Sequence, residues 1–180
     1  YYLVEAPMAG EGILDRYLGD PILQFRASWR ENLLRALSSS APYRAEEVTG
    51  LEVDYERLEA DASLVEGQRV LLTQLGSECD LLLLTDRADL LSEALEWARS
   101  RFSRGVLVAS HHAGSTFRAL SRWNVNASGH VTPVNPLGVM MHPTREMAEE
   151  AILSAEKPVL AIKPLAGGRA QPQESFDYVY

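Results

Sequence analysis

The chain has 180 residues, of which 46% are apolar and 23% charged, and its formal net charge is −8. That length and apolar content support one buried core of ordinary size and exclude a disordered polymer. The acidic balance excludes a general nucleic-acid binder, which needs basic surface to displace counterions from phosphates; a local anion pocket remains compatible with it.

The lone cysteine, Cys79, excludes an internal disulfide and makes a reduced, cytoplasmic setting the expectation. No apolar run approaches the roughly 20 residues that cross a bilayer, and no secretory leader pattern is visible, so no membrane partner is expected.

In chain order, residues 2–6 read as the interior of a strand and residues 21–26 as a second strand. Residues 29–37 read as a helix that stops at Ser38-Ser39-Ser40. Residues 41–54 carry mixed signals, and 55–75 read as one or two helices broken around Gly67. From residue 80 onward a solidly apolar run alternates with an amphipathic stretch. The expected strands are 80–86, 105–110, 130–135 and 158–163. The expected helices are 88–102, 115–123, 144–155 (with Thr144 as N-cap) and 172–180 (with Pro172 in the first turn). Continuous rather than alternating apolar runs suit strands buried on both faces, and the strand starts recur about every 25–28 residues, the length of one βα unit. Residues 80–180 are therefore read as four βα units. The whole of 1–180 is expected to be a single α/β domain, truncated at both ends because Tyr1–Val4 and Ser175–Tyr180 read as interrupted elements.

Two parallel architectures fit this rhythm, a partial (β/α)8 TIM barrel and an open doubly wound sheet. Polar residues favour the barrel. Each expected strand ends in chemistry: Thr85-Asp86-Arg87, Ser110-His111-His112, Thr132-Pro133-Val134-Asn135, and Lys163 followed by Gly167-Gly168-Arg169. Barrels place functional groups at the C-terminal ends of successive strands, whereas an open sheet concentrates them near one switch point.

His111 and His112 are adjacent at a strand end, so one side chain faces the strand mouth and the other the helical layer. Either is a candidate general acid/base or metal ligand, and equally a loop residue capping the next helix. Asp86 is a candidate catalytic carboxylate or a helix cap, and with His111 or His112 and His142 it offers metal-ligand types without any ligand-spacing motif. Lys163 closes an apolar strand, where a depressed pKa would let it form a Schiff base or hold an anion or carbonyl; otherwise its stem packs and its amine reaches water. Gly167 and Gly168 permit close approach of backbone N–H groups to a phosphate, with Arg169 as a bidentate partner, or simply form a turn. Asn135, fixed by Pro136, is a ligand-binding amide or a turn former. Neither a GxGxxG fingerprint nor a Walker loop occurs.

The segments Gly105–His112, Pro133–Leu137 and Ala161–Arg169 resemble, in order and spacing, the back half of aldo-keto reductase barrels, over about residues 105–180. The resemblance implies a (β/α)8 barrel and NADPH-dependent hydride transfer to a small carbonyl compound. It also implies that Ser110 and His111 lie where the family holds the nicotinamide amide, with Asn135 near the ring. The strand before Ser110 has no histidine, so divergence at the catalytic positions is expected, and the cofactor-phosphate segment is expected beyond Tyr180. Three readings stay open: a reductase-like enzyme using NADP; a barrel aldolase or isomerase using Lys163 or a metal; and a non-catalytic ligand-binding barrel. The expected partner is a small carbonyl, anionic or phosphorylated molecule.

Overall fold

The computed structural model describes residues 2–5, 12–14, 43–76, 78–102 and 105–180. The strand expected over 21–26 and the helix expected over 29–37 lie outside them. β1 (Leu3–Glu5) pairs antiparallel with β2 (Leu51–Val53), and Asp54 N–H closes the ladder on Tyr2 C=O at 2.8 Å. A separate sheet holds β3 (Leu72–Leu75), β4 (Gly105–Ala109), β5 (Gly129–Pro133) and β6 (Val159–Ile162), all parallel and in sequence order. The strand expected over residues 2–6 is thus present as Leu3–Glu5, outside the parallel sheet.

Around these strands stand α1 (Ala45–Thr49), α2 (Tyr55–Ser63), α3 (Glu78–Leu84), α4 (Ala88–Phe102), α5 (Ala113–Arg122), α6 (Arg145–Leu153) and α7 (Pro172–Val179). Local chemistry starts several of them. Asp54 accepts from Arg57 N–H at 2.9 Å to begin α2. Thr144 accepts from Met147 N–H at 3.2 Å to begin α6, as its sequence position predicts. Pro172 occupies the first turn of α7, where its missing N–H costs no helical bond. Among the described residues no helix is long and apolar enough to cross a membrane.

One of the four expected strands is a helix. Residues 80–86 were read as a strand ending in Asp86, but α3 runs through Leu81–Leu84, and the strand of that unit is β3, inside the stretch read as helical. A short, continuous run of leucines has no period to declare its type, and leucine is a strong helix former without β-branching. Asp86 consequently ends no strand. It has left-handed backbone (φ 56°) after α3, with Arg87 N–H bonding Leu82 C=O at 2.9 Å and Asp86 N–H bonding Leu83 C=O at 3.3 Å. This is a Schellman termination, in which Asp86 takes the place usual for glycine or asparagine. α5 ends the same way at Asn124 (φ 53°), with Val125 N–H bonding Leu120 C=O at 3.0 Å.

The connecting helices pack on one face of the parallel sheet. Val108, His130 and Val159 are register partners and so share a face. Val108 joins the core formed with α3 and α4, the His130 ring stacks on Phe117 of α5 at 4.0 Å, and Val159 packs against the cluster of α5 and α6. The opposite face carries a smaller cluster of Leu107, Ala109 and Val131 with Ile162. α5 and α6 approach so closely that a Cβ added at Gly114 would lie 2.9 Å from both Met147 Cβ and Pro143 Cδ.

Candidate functional site

Chemistry gathers at the C-terminal ends of the parallel strands, and it is built outward from a buried carboxylate. α3 opens three residues after β3 closes, which sets Asp80 in the first helical turn, 2% exposed. Ser110, the residue after β4, donates its hydroxyl to Asp80 Oδ1, and His111 N–H donates to Oδ2 at 2.9 Å. Burial alone would push the Asp80 pKa up; the hydrogen bonds of His111 and Ser110, with the neighbouring His112 imidazole, outweigh it and hold the pKa below the ordinary value. An ionised Asp80 can only accept, so Ser110 must donate to it. Ser110 Oγ then accepts from Thr116 Oγ1 at 2.7 Å and from His112 N–H at 2.9 Å. One donor and two acceptor sites exhaust a serine hydroxyl.

The adjacent histidines diverge, as neighbours at a strand end must. His111 turns toward Asp80 and β6: its Nδ1 lies 3.6 Å from Asp80 Oδ2, and its Nε2 lies 2.8 Å from Lys163 Nζ. The carboxylate charge at that distance favours the tautomer with its proton on Nδ1. Nε2 is then the acceptor for the Lys163 ammonium. His112 turns into the helical layer, 4% exposed, and stacks on His142 with centroids 4.9 Å apart. Burial there lowers its pKa, Asp80 working in the opposite sense. His112 is the N-cap of α5, although its side chain makes no cap bond.

Lys163 closes β6 with left-handed backbone, φ 55°. Its amine reaches His111 on one side and Met140 Sδ, at 3.5 Å, on the other. Partial burial lowers its pKa although the residue as a whole is exposed. Met140 arrives on a loop staked by Asn135, whose side-chain carbonyl accepts from Val139 N–H and whose NH2 donates to Val139 C=O, both at 2.9 Å.

Beside the amine opens a cleft of about 490 Å³ lined by Val139, Met140, Leu165, Ala166 and Phe176 along with Lys163 and Arg169. Five described non-glycine residues have positive φ, and three of them (Met140, Lys163 and Ala166) line this cleft. Backbone held in such conformations costs free energy and concentrates at binding and catalytic sites.

The structure thus brings His111 and Lys163 together and adds Asp80; an acid at the head of a run of four leucines is the signal for it. Other expected roles change. Asp86 sits in the turn after α3, where its carboxylate accepts from Trp123 Nε1 at 3.1 Å. Ser110 and Asn135, which the resemblance sets beside a nicotinamide, are buried with their polar groups engaged internally. Gly167 and Gly168 form no phosphate cradle: the N–H groups of Gly168, Arg169 and Ala170 all turn onto Leu165 C=O, at 2.8, 3.0 and 3.2 Å. Arg169 is exposed and spends one N–H on Ala166 C=O at 2.9 Å. Among the described residues no three His, Cys, Asp or Glu side chains gather as a metal site. No family model, curated protein or solved structure matches the chain.

Proposed function

We propose that the chain forms part of a (β/α)-barrel wall and acts on small carbonyl compounds through the Lys163 amine. The barrel reading is supported by four parallel strands in sequence order with their helices on one face, because a doubly wound sheet needs helices on both. The catalytic reading is carried by one observation, the line from Asp80 through His111 to Lys163, with Nε2 and Nζ 2.8 Å apart.

In this mechanism His111 Nε2 takes a proton from the ammonium, and Asp80 stabilises the imidazolium so formed. The freed amine adds to the carbonyl carbon, giving a carbinolamine. His111 returns the proton to the carbinolamine oxygen, water leaves, and a protonated imine links Lys163 to the substrate. Aldolase and isomerase chemistry both begin from such an imine. Hydride transfer from NADPH is the weaker fit, since Ser110 and Asn135 have committed their polar groups elsewhere.

The chain has two lysines, Lys157 and Lys163, so the test is clean. Pyruvate, glycolaldehyde or butanal with cyanoborohydride is expected to label Lys163 well ahead of Lys157, as read by peptide mass spectrometry. His111→Leu is expected to slow that labelling on the order of 100-fold, the usual worth of a positioned general base. Equal labelling of the two lysines, or a His111→Leu rate like the parent's, would defeat the proposal.

A further inference from the structure

Resting on the amine chemistry proposed above, we infer that the cleft selects uncharged, hydrophobic aldehydes or ketones and discriminates against phosphorylated ones. Beyond the Lys163 amine, the side chains facing the cleft are apolar except for Arg169: Val139, Met140, Leu165, Ala166 and Phe176. The volume, about 490 Å³, falls within the roughly 300–1,000 Å³ of ordinary small-molecule pockets. Phe176 is 45% exposed on α7, and so presents ring surface that a bound apolar chain would cover.

The backbone groups that would cradle a phosphate are spent. Gly168, Arg169 and Ala170 N–H groups point back at Leu165 C=O, and the exposed Arg169 guanidinium gives one of its five N–H donors to Ala166 C=O. The remaining cation is Lys163, whose amine is engaged by His111 and is consumed when an imine forms. A phosphate lodged among these apolar side chains would lose its hydration and gain no donor from the Gly168, Arg169 or Ala170 backbone N–H groups, which is unfavourable. An alkyl or aryl chain loses only water contacts.

Chain length in the carbonyl compound is the direct readout. Along a series from propanal to octanal, in the presence of cyanoborohydride, labelling of Lys163 relative to Lys157 is expected to strengthen by up to about fourfold per methylene, the ratio equivalent to ~0.8 kcal/mol of burial. The rise should end when the cleft is full. Phe176→Ala is expected to flatten the series and Phe176→Leu to preserve most of it. Thermal shifts with the unreactive alcohols, butanol to octanol, provide a second measure with no covalent step. Labelling that is independent of chain length, or faster with glyceraldehyde 3-phosphate than with an uncharged aldehyde of similar size, would overturn the inference while leaving the amine chemistry intact. Chain-length-dependent alcohol binding without any Lys163 adduct would instead support the apolar cleft and sink the amine chemistry.

Discussion

Lys163 Nζ and His111 Nε2 lie 2.8 Å apart although 52 residues separate them in the chain. They meet because β4 and β6 flank β5 in a parallel sheet, so the residues just past their C-terminal ends emerge on the same rim. The left-handed backbone at Lys163 then decides where its side chain points, since strict alternation after Ile162 would send it toward the helices.

Asp80 should matter to both stability and chemistry. Asp80→Asn replaces an ionised acceptor by a group that must turn an NH2 toward one of its present donors. We expect a loss of about 1–3 kcal/mol in unfolding free energy. Lys163 trapping should slow roughly tenfold or more through the disoriented imidazole. Urea unfolding and cyanoborohydride labelling measure the two effects; a variant with parental stability and rate would show that Asp80 does neither job.

Asn135 should be structural. Replacing it by alanine removes both bonds to Val139 and leaves a buried site empty, at a cost of about 1–3 kcal/mol, and it should also loosen Met140 beside the amine. Asn135→Ala is therefore expected to lower Tm by several degrees. An unchanged Tm would count against the staking role.

Much of this arrangement was legible from sequence, and the exceptions share a cause. β4, β5 and β6 announced themselves as valine-bearing apolar runs, α4 as an amphipathic stretch, and α6 as an amphipathic stretch with the Thr144 cap. β3 and α3 did not. Leu72-Thr73-Gln74-Leu75 is a short strand with exposed positions, and Leu81–Leu84 is apolar on every side, so periodicity misassigned both and Asp80 passed for a strand start. Gly167-Gly168 marked a special backbone correctly. That the Gly168 N–H turns back onto Leu165 C=O is a matter of local turn geometry, which the residue types alone do not fix.

Stability should fall in mild acid. Burial depresses the His112 pKa, and burial with the Lys157 charge depresses that of His130 to about 4. Between these folded values and the unfolded value of about 6.5 the unfolded chain holds the extra protons, so stability is lost as pH drops. The loss should begin near pH 6.5 and continue toward pH 4, at no more than about 1.4 kcal/mol per pH unit per histidine. Glu78, whose pKa burial raises above 4.5, works in the opposite sense just above that pH. Asp80 adds its own loss only below its ordinary 3.8. Thermal melts from pH 7.5 to 4.5 should show the decline, and His130→Phe, which keeps a ring against Phe117, should reduce it. A flat profile from pH 7.5 to 5 would contradict it.

Gly114 should tolerate no side chain. With Met147 Cβ and Pro143 Cδ each 2.9 Å from the site of a new Cβ, Gly114→Ala must push α5 from α6, for a loss of about 1–3 kcal/mol. Equilibrium unfolding would register it. A neutral or stabilising alanine would mean that the helix pair yields more freely than its packing implies.

The pH dependence of Lys163 reactivity tests the central claim most directly. Competitive acetylation across pH 6–11, read separately at the two lysine-bearing peptides, gives the titration of the Lys163 amine in the intact protein. The account predicts a midpoint below the ordinary lysine value of 10.5, set by burial, and faster modification of Lys163 than of Lys157 near neutrality, with the rate but not the lowered midpoint falling in His111→Leu, which removes the proton acceptor. A midpoint at 10.5 or above, or a His111→Leu rate like the parent's, would mean that Lys163 is an ordinary surface lysine and that the site does not activate it.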